Sequence, residues 1–156
     1  MNQKIIIQTG DTVFYKYDRE LGFWGKPNIE KYVTFSATNT KKEIYVSHNN
    51  EGNRDSNYQS KELNNPIICL GGSHTWGGGV EQDERYTDFL NQKMGKQVLN
   101  FGHCSLGLDQ ICIFILQRAL RFRPSVIVIE QYPWSISRIL NTYINGYVKP
   151  YFYIDN

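Results

Sequence analysis

Ile67-Ile68-Cys69-Leu70-Gly71-Gly72-Ser73-His74-Thr75-Trp76-Gly77-Gly78-Gly79 is the stretch that decides how this 156-residue chain is read. Four consecutive apolar residues lie between Pro66 and Gly71. Such a run is short for a helix and suits a strand buried on both faces, as in a parallel sheet covered by helices. The glycines that follow permit a sharp turn and close approach of a ligand to the backbone, which would present Ser73 at the end of the strand. Val98-Leu99-Asn100-Phe101 and Val126-Ile127-Val128-Ile129 repeat the strand pattern downstream.

Helical periodicity fills the intervals. Tyr86, Phe89, Leu90 and Met94 share one face, with Gly95 as the stop. Leu108, Ile111, Cys112, Ile115, Leu116 and Ala119 form a second stripe. Arg118, Arg121 and Arg123 suit its negative end, and Pro124 breaks it. A third helix is expected from about Pro133 to Ile144, with Gly146 past its end. The order strand-helix-strand-helix-strand-helix predicts an α/β fold, a doubly wound, mostly parallel sheet with right-handed crossovers. Ligands in such sheets bind beyond the carboxyl ends of the strands, here at 71–80, 102–109 and 130–134.

Residues 1–65 read as a polar N-terminal extension packing on the core, and 66–156 as the α/β core itself. Short strand-like runs at Lys4–Gln8, Tyr32–Phe35 and Glu43–Val46 are separated by turn-rich segments such as Asn49-Asn50-Glu51-Gly52-Asn53. The terminal run Tyr147–Ile154 also reads as extended.

Composition narrows the function classes. With 40% hydrophobic and 21% charged residues, the sequence is that of a folded globular protein. A net charge of +2 with scattered cations argues against a nucleic-acid surface. No apolar run approaches a membrane span, and Met1–Gly10 lacks a secretory apolar core. Three cysteines suit a reducing compartment, so a cytoplasmic location is expected. Cys69 and Cys112 fall on core positions. The aromatic content of 14%, with eleven tyrosines, fits either a Tyr-rich surface or a binding rim.

The glycine-rich loop matches neither a phosphate-binding loop nor a dinucleotide fingerprint, and Trp76 breaks the Gly-x-Ser-x-Gly elbow. His74 and His103 lie on the loops of the expected active edge, as polar packing groups or as bases. No zinc-type spacing links them with Cys104, so no metal or other cofactor is expected. Glu130 ends its strand as a solvated charge or as a carboxylate facing the cleft. Asp109 reads as a helix cap, and Arg54 with Asp55 as an ion pair or an anion site.

The ensemble resembles the SGNH (GDSL) hydrolase family. Ile67–Gly77 is similar to its first block, with Ser73 at the nucleophile position. Asn100–Gln110 is similar to the second block, and Arg123–Ile129 to the strand preceding the third. Glu20–Phe23 and Asn50–Asp55 resemble segments upstream of the first block in one subgroup. The resemblance implies a flavodoxin-like core, of which three strands are present. It implies attack by Ser73 on a small ester or acylated carbohydrate, with backbone N–H groups of Ser73 and of the Ser105–Gly107 loop holding the oxyanion. Trp76 and Tyr132 would contact substrate.

This sequence departs from the family in its chemistry. Gly72 replaces the aspartate of the first block, and Ser105 stands where the second block has glycine. The third-block asparagine is missing from Glu130–Trp134, and no Asp-x-x-His block is found. A serine without a base is a poor nucleophile. His103 and His74 are the substitutes the chain offers; otherwise the base comes from beyond Asn156 or from another chain. The alternative is a noncatalytic module of the same fold that binds through its aromatic rim. The strand at 126–129 would also lie at an open edge. That edge implies a fragment of a longer hydrolase, cover by the extension, or a homo-oligomer or other completing chain.

Overall fold

The computed structural model describes residues 13–37, 40–59, 62–144 and 146–152. The extension forms two antiparallel hairpins. In the first, β1 (Tyr15–Asp18) pairs with β2 (Gly22–Gly25) across an Asp18-led turn, where the Asp18 carboxylate accepts from the N–H groups of Glu20 and Leu21. In the second, β3 (Glu30–Ala37) pairs with β4 (Thr40–Ser47). The second contains both described runs expected as strands. The first was not anticipated, and Lys4–Gln8 lies outside the described residues.

The core follows as β5 (Ile67–Gly71), α1 (Ser73–Trp76), α2 (Tyr86–Met94), β6 (Val98–Gly102), α3 (Leu108–Gln117), β7 (Val126–Ile129) and α4 (Pro133–Ser137). The three strands form a parallel sheet in the order β6-β5-β7, with Ile67 opposite both Val98 and Val126. The α/β character read from the alternating runs is therefore present. β5 and β6 are buried along their whole length. One apolar cluster runs from Phe14, Phe23 and Trp24 through Ile44 and Val46 to Ile68, Leu70, Phe101 and Phe114. The hairpins and the sheet thus share a core.

Several expectations fail for identifiable reasons. β7 is not buried on both faces; Val126, Val128 and Ile129 are exposed, because α1 and α2 pack against the other edge strand, β6, and not against β7. The α2 stripe also faces out, with Tyr86, Phe89 and Met94 exposed, although Gly95 ends the helix in the left-handed conformation as expected. The buried face of α3 is Asp109, Gln110, Ile111 and Phe114, which leaves Cys112 exposed rather than in the core. Polar bonds rotate it. Gln110 Nε2 donates to Leu21 O at 2.6 Å while Gln110 Oε1 accepts from Gly107 N–H at 3.0 Å.

The helix expected over 133–144 stops at Ser137. A 3-10 turn follows at Arg138–Leu140, then a two-residue hairpin of β8 (Tyr143–Ile144) and β9 (Tyr147–Val148). Of the extended run expected over Tyr147–Ile154, only Tyr147–Val148 forms a strand among the described residues. Gly22, at φ +81°, lies under β9, where a Cβ would collide with the Val148 carbonyl. Asp109 is not a cap but the second residue of α3, buried in an ion pair with Lys149. Both side chains are fully buried, and Asp109 Oδ1 has no hydrogen-bond partner.

The two edges of the sheet are finished differently. On β6, the N–H groups of Val98, Asn100 and Gly102 donate to side chains, respectively Asn91 Oδ1, Asp55 Oδ2 and Asn100 Oδ1, at 3.1, 2.9 and 2.8 Å. Side chains therefore occupy donors that would otherwise invite another strand. Among the described residues, the extension contributes to the β6 edge through Asp55.

Removing one partner of a buried pair strands the other charge, at a cost of about 3–5 kcal/mol. Lys149→Met or Asp109→Asn should each lower the urea-unfolding free energy by that order. The double variant Asp109→Leu/Lys149→Met should return to within about 1 kcal/mol of the parent. A single variant as stable as the parent would contradict the assignment.

Candidate functional site

The carboxyl end of β5 delivers Gly71 and Gly72 and then Ser73, the first residue of α1. Gly72 has φ −87°, and Gly77 closes the turn at φ +88°, with its N–H and that of Gly78 donating to Ser73 O at 3.0 and 2.8 Å. α1 lies directly on the end of β6. A Cβ at Gly102 would collide with Trp76 N and Thr75, so glycine is what lets the two approach. His103 N–H donates to Gly71 O at 3.0 Å, joining the second loop to the first.

Glu130 joins the third loop to both. Its Oε2 accepts from Thr75 N–H at 2.6 Å and from Thr75 Oγ1 at 2.5 Å, and Tyr86 OH lies 3.1 Å from the same hydroxyl. This carboxylate turns onto α1 and is half-buried; it is not a solvated strand end. Arg138, which the sequence did not single out, donates from Nη1 to Leu106 O at 3.0 Å. A Cβ on Gly72 would sit 3.5 Å from both Arg138 Nη1 and Glu130 Oε1, so the pair flanks the position beside Ser73. Burial lowers the Arg138 pKa, while Cys104 and then Glu130 oppose the shift.

Ser73 is half-buried and its Oγ has no hydrogen-bond partner among the described residues. Neither candidate base reaches it. His74 is exposed and stacks on Tyr132 at 4.7 Å, and Tyr132 stacks on Trp134 at 4.8 Å and 4°. His103 is fully buried against Trp24, its Nε2 3.3 Å from Asn53 Oδ1 and its Nδ1 unpartnered. Burial, reinforced by His48, drives its pKa well below the usual value. It packs toward the extension, against Asn53 and Trp24.

The oxyanion candidates divide. Ser105 holds φ +69°, the left-handed region a serine seldom occupies, and its N–H is unpaired among the described residues. The Gly107 N–H is already bonded to Gln110 and is not free to serve. Tyr132 sits on the rim. Trp76 does not: it is buried against Phe14 and Phe35, and its indole N–H donates to His48 Nε2 at 3.3 Å.

Arg54 explains why Trp76 points inward. Fully buried, its guanidinium lies 4.9 Å from the Trp76 ring and donates to the carbonyls of Trp76, Gly77, Tyr45 and Val80. It forms no ion pair with Asp55, whose carboxylate accepts from the N–H groups of Asn100 and Ser56. Among the described residues no three His, Cys, Asp or Glu side chains cluster as metal ligands, and no helix is long and apolar enough to cross a membrane. No protein-family model matches the chain, and no curated protein matches it.

The buried histidines set a pH dependence. Burial lowers the His48 pKa from 6.5 to about 4, and Arg54 adds to the shift. Below 6.5 the unfolded chain takes up a proton that folded His48 refuses, so its contribution to stability is lost as pH falls toward 4. The slope is about 1.4 kcal/mol per pH unit. His103 acts in the same direction. Asp55, pushed up to about 6 by burial, acts oppositely between about 6 and its usual 3.8 and offsets one histidine. Denaturant titrations from pH 6 to 4 should show falling stability. In His48→Gln the slope should be shallower by about 1.4 kcal/mol per pH unit. Equal slopes would refute the assignment.

Proposed function

We propose that this chain carries the nucleophile side of an SGNH-type acyl-ester hydrolase site, on a flavodoxin-like core. The substrate class is a small acyl or acetyl ester, including the O-acetyl groups of carbohydrates. The observation that carries the reading is the placement of Ser73: first residue of the helix that follows the central strand, one glycine beyond it, half-buried, with an unbonded hydroxyl. Two further features support it. The sheet order places the first core strand between the second and third, as in flavodoxin-like sheets. Ser105, where the family has glycine, holds a left-handed backbone that glycine favours.

On this reading Ser73 Oγ attacks the ester carbonyl carbon and gives its proton to a base. The N–H groups of Ser73 and Ser105 bind the oxyanion, and the C–O bond to the leaving alcohol breaks. Water then releases the acid from the acyl-enzyme. No side chain among the described residues fills the role of base, so this reading requires one from outside the described residues or from another chain. Glu130 and Arg138 are positioning residues: Glu130 holds the backbone of α1 through Thr75, and Arg138 ties the second loop to the third.

A second reading, a noncatalytic binding module of the same fold, is favoured by one specific observation. His74 and His103, the substitutes for a base, are committed to a ring stack and to the core respectively.

Intact-mass analysis after treatment with a fluorophosphonate decides between them. A single label that disappears in Ser73→Ala supports the hydrolase reading, since the probe requires an activated hydroxyl but no knowledge of substrate. No label on the folded protein rules out an activated Ser73 within this chain and supports the module. Gly72→Asp, whose Cβ fits at ordinary contact distance between Arg138 and Glu130, should fold normally and raise labelling only if the hydroxyl is already activated.

A further inference from the structure

The chain contains a second concave site, a cleft of about 510 Å³ where the first hairpin and the loop after β4 meet α3. It lies at the C-terminal end of α3, whereas the Ser73 edge lies before that helix's N-terminus. Trp24, Phe101 and Phe114 lie beneath it, nearly wholly buried and with Trp24 and Phe114 stacked on each other at 4.8 Å and 10°, so the surface it offers is mainly polar. Clefts of this size at a junction between structural units are common small-molecule sites.

The cleft's walls are held by ion pairs. Arg118 donates from Nη2 to both Asp18 oxygens at 2.8 Å and to Glu20 at 2.7 Å, clamping the β1–β2 turn. Arg121 Nη2 reaches Glu51 Oε2 at 3.1 Å on the other wall, and Tyr58 OH donates to that same oxygen at 3.1 Å. These contacts fix the lining without consuming it. Lys16 Nζ, the side-chain amides of Asn50 and Gln117, and Oε1 of Glu20 and of Glu51 have no hydrogen-bond partner among the described residues. Lys16, Arg118 and Arg121 are balanced by Asp18, Glu20 and Glu51, so the region favours neither sign of charge.

We infer that this cleft binds an uncharged, polyhydroxylated ligand, a neutral mono- or disaccharide. Free donors and free acceptors stand side by side in a polar, charge-balanced wall, with only the edges of buried aromatic rings beneath. A hydroxyl is the ligand group that both donates and accepts. An anion would leave the carboxylates opposed, and a cation would leave Lys16 and the arginines opposed. The inference is independent of Ser73 and of the hydrolase reading.

The test is an amide and indole chemical-shift titration of the full chain with glucose, galactose, mannose, N-acetylglucosamine, maltose and cellobiose. Glucuronate and glucosamine are the charged controls. At least one neutral sugar should saturate with a millimolar Kd, moving Trp24 Nε1–H and the amides of residues 117–121. Lys16→Met and Gln117→Ala, both on the exposed rim, should weaken it about tenfold with an unchanged unfolding midpoint. Ser73→Ala should bind as the parent does. No saturable shift at these residues from any neutral sugar at about 50 mM would overturn the inference, as would tighter binding of a charged control.

Discussion

Asn100 holds the candidate site together. From the middle of β6 its buried amide donates to Thr75 O at 2.6 Å and to Thr87 Oγ1 at 3.0 Å. The side-chain oxygen accepts from Gly102 N–H, and the backbone N–H donates to Asp55. One residue therefore fixes α1, α2, the end of its own strand and the loop after β4. Every polar group on it that these bonds account for is satisfied inside the protein, which is the condition for burying an amide without loss. If the amide is removed, the carbonyl of Thr75 and the hydroxyl of Thr87 lose a buried partner together.

Arg54 and Glu130 extend the same principle with charge. Arg54 is wholly buried and has carbonyl oxygens rather than a carboxylate around it; burial, and Arg85 behind it, bring its pKa down to about 10. Its neighbour Arg85 donates to the Arg54 carbonyl and pairs with Asp88 at 2.7 Å. The extension thereby reaches into the glycine-rich loop and sets its course. Glu130 does so from the opposite side through Thr75. The loop that carries Ser73 is flexible in composition but closely tied in place.

What was legible in the sequence follows from the range of the interactions. The strands at 67–71, 98–102 and 126–129 announce themselves because apolar runs are local signals. Tyr15–Asp18 and Gly22–Gly25 give no such signal. Charge and glycine interrupt them, and they become a hairpin by burying Tyr15, Phe23 and Trp24 on distant partners. Pro133 at the start and Gly146 past the end suggested a helix to about Ile144, yet it stops at Ser137, and the side chains of Ile136 and Leu140 are exposed, Leu140 at 86%. Ser73 was legible from its loop. The role of Glu130 was not, because its partner Thr75 stands 55 residues away. The inward turn of Trp76 depends on Arg54 and His48, 22 and 28 residues upstream, and no spacing rule reports that.

The unequal finish of the two sheet edges gives the fold a direction of growth. With the β6 donors occupied from within, the edge that remains for a further strand among the described residues is the one beside Val126–Ile129. A strand entering there parallel to its neighbours would end level with Glu130, at the rim where the His74, Tyr132 and Trp134 rings are stacked. Whatever residues followed that strand would emerge beside the Glu130–Trp134 loop, whose carboxylate already reaches the helix that begins at Ser73. The architecture thus fixes in advance where new chemistry could be added: the edge left open is the one whose extension leads to the serine.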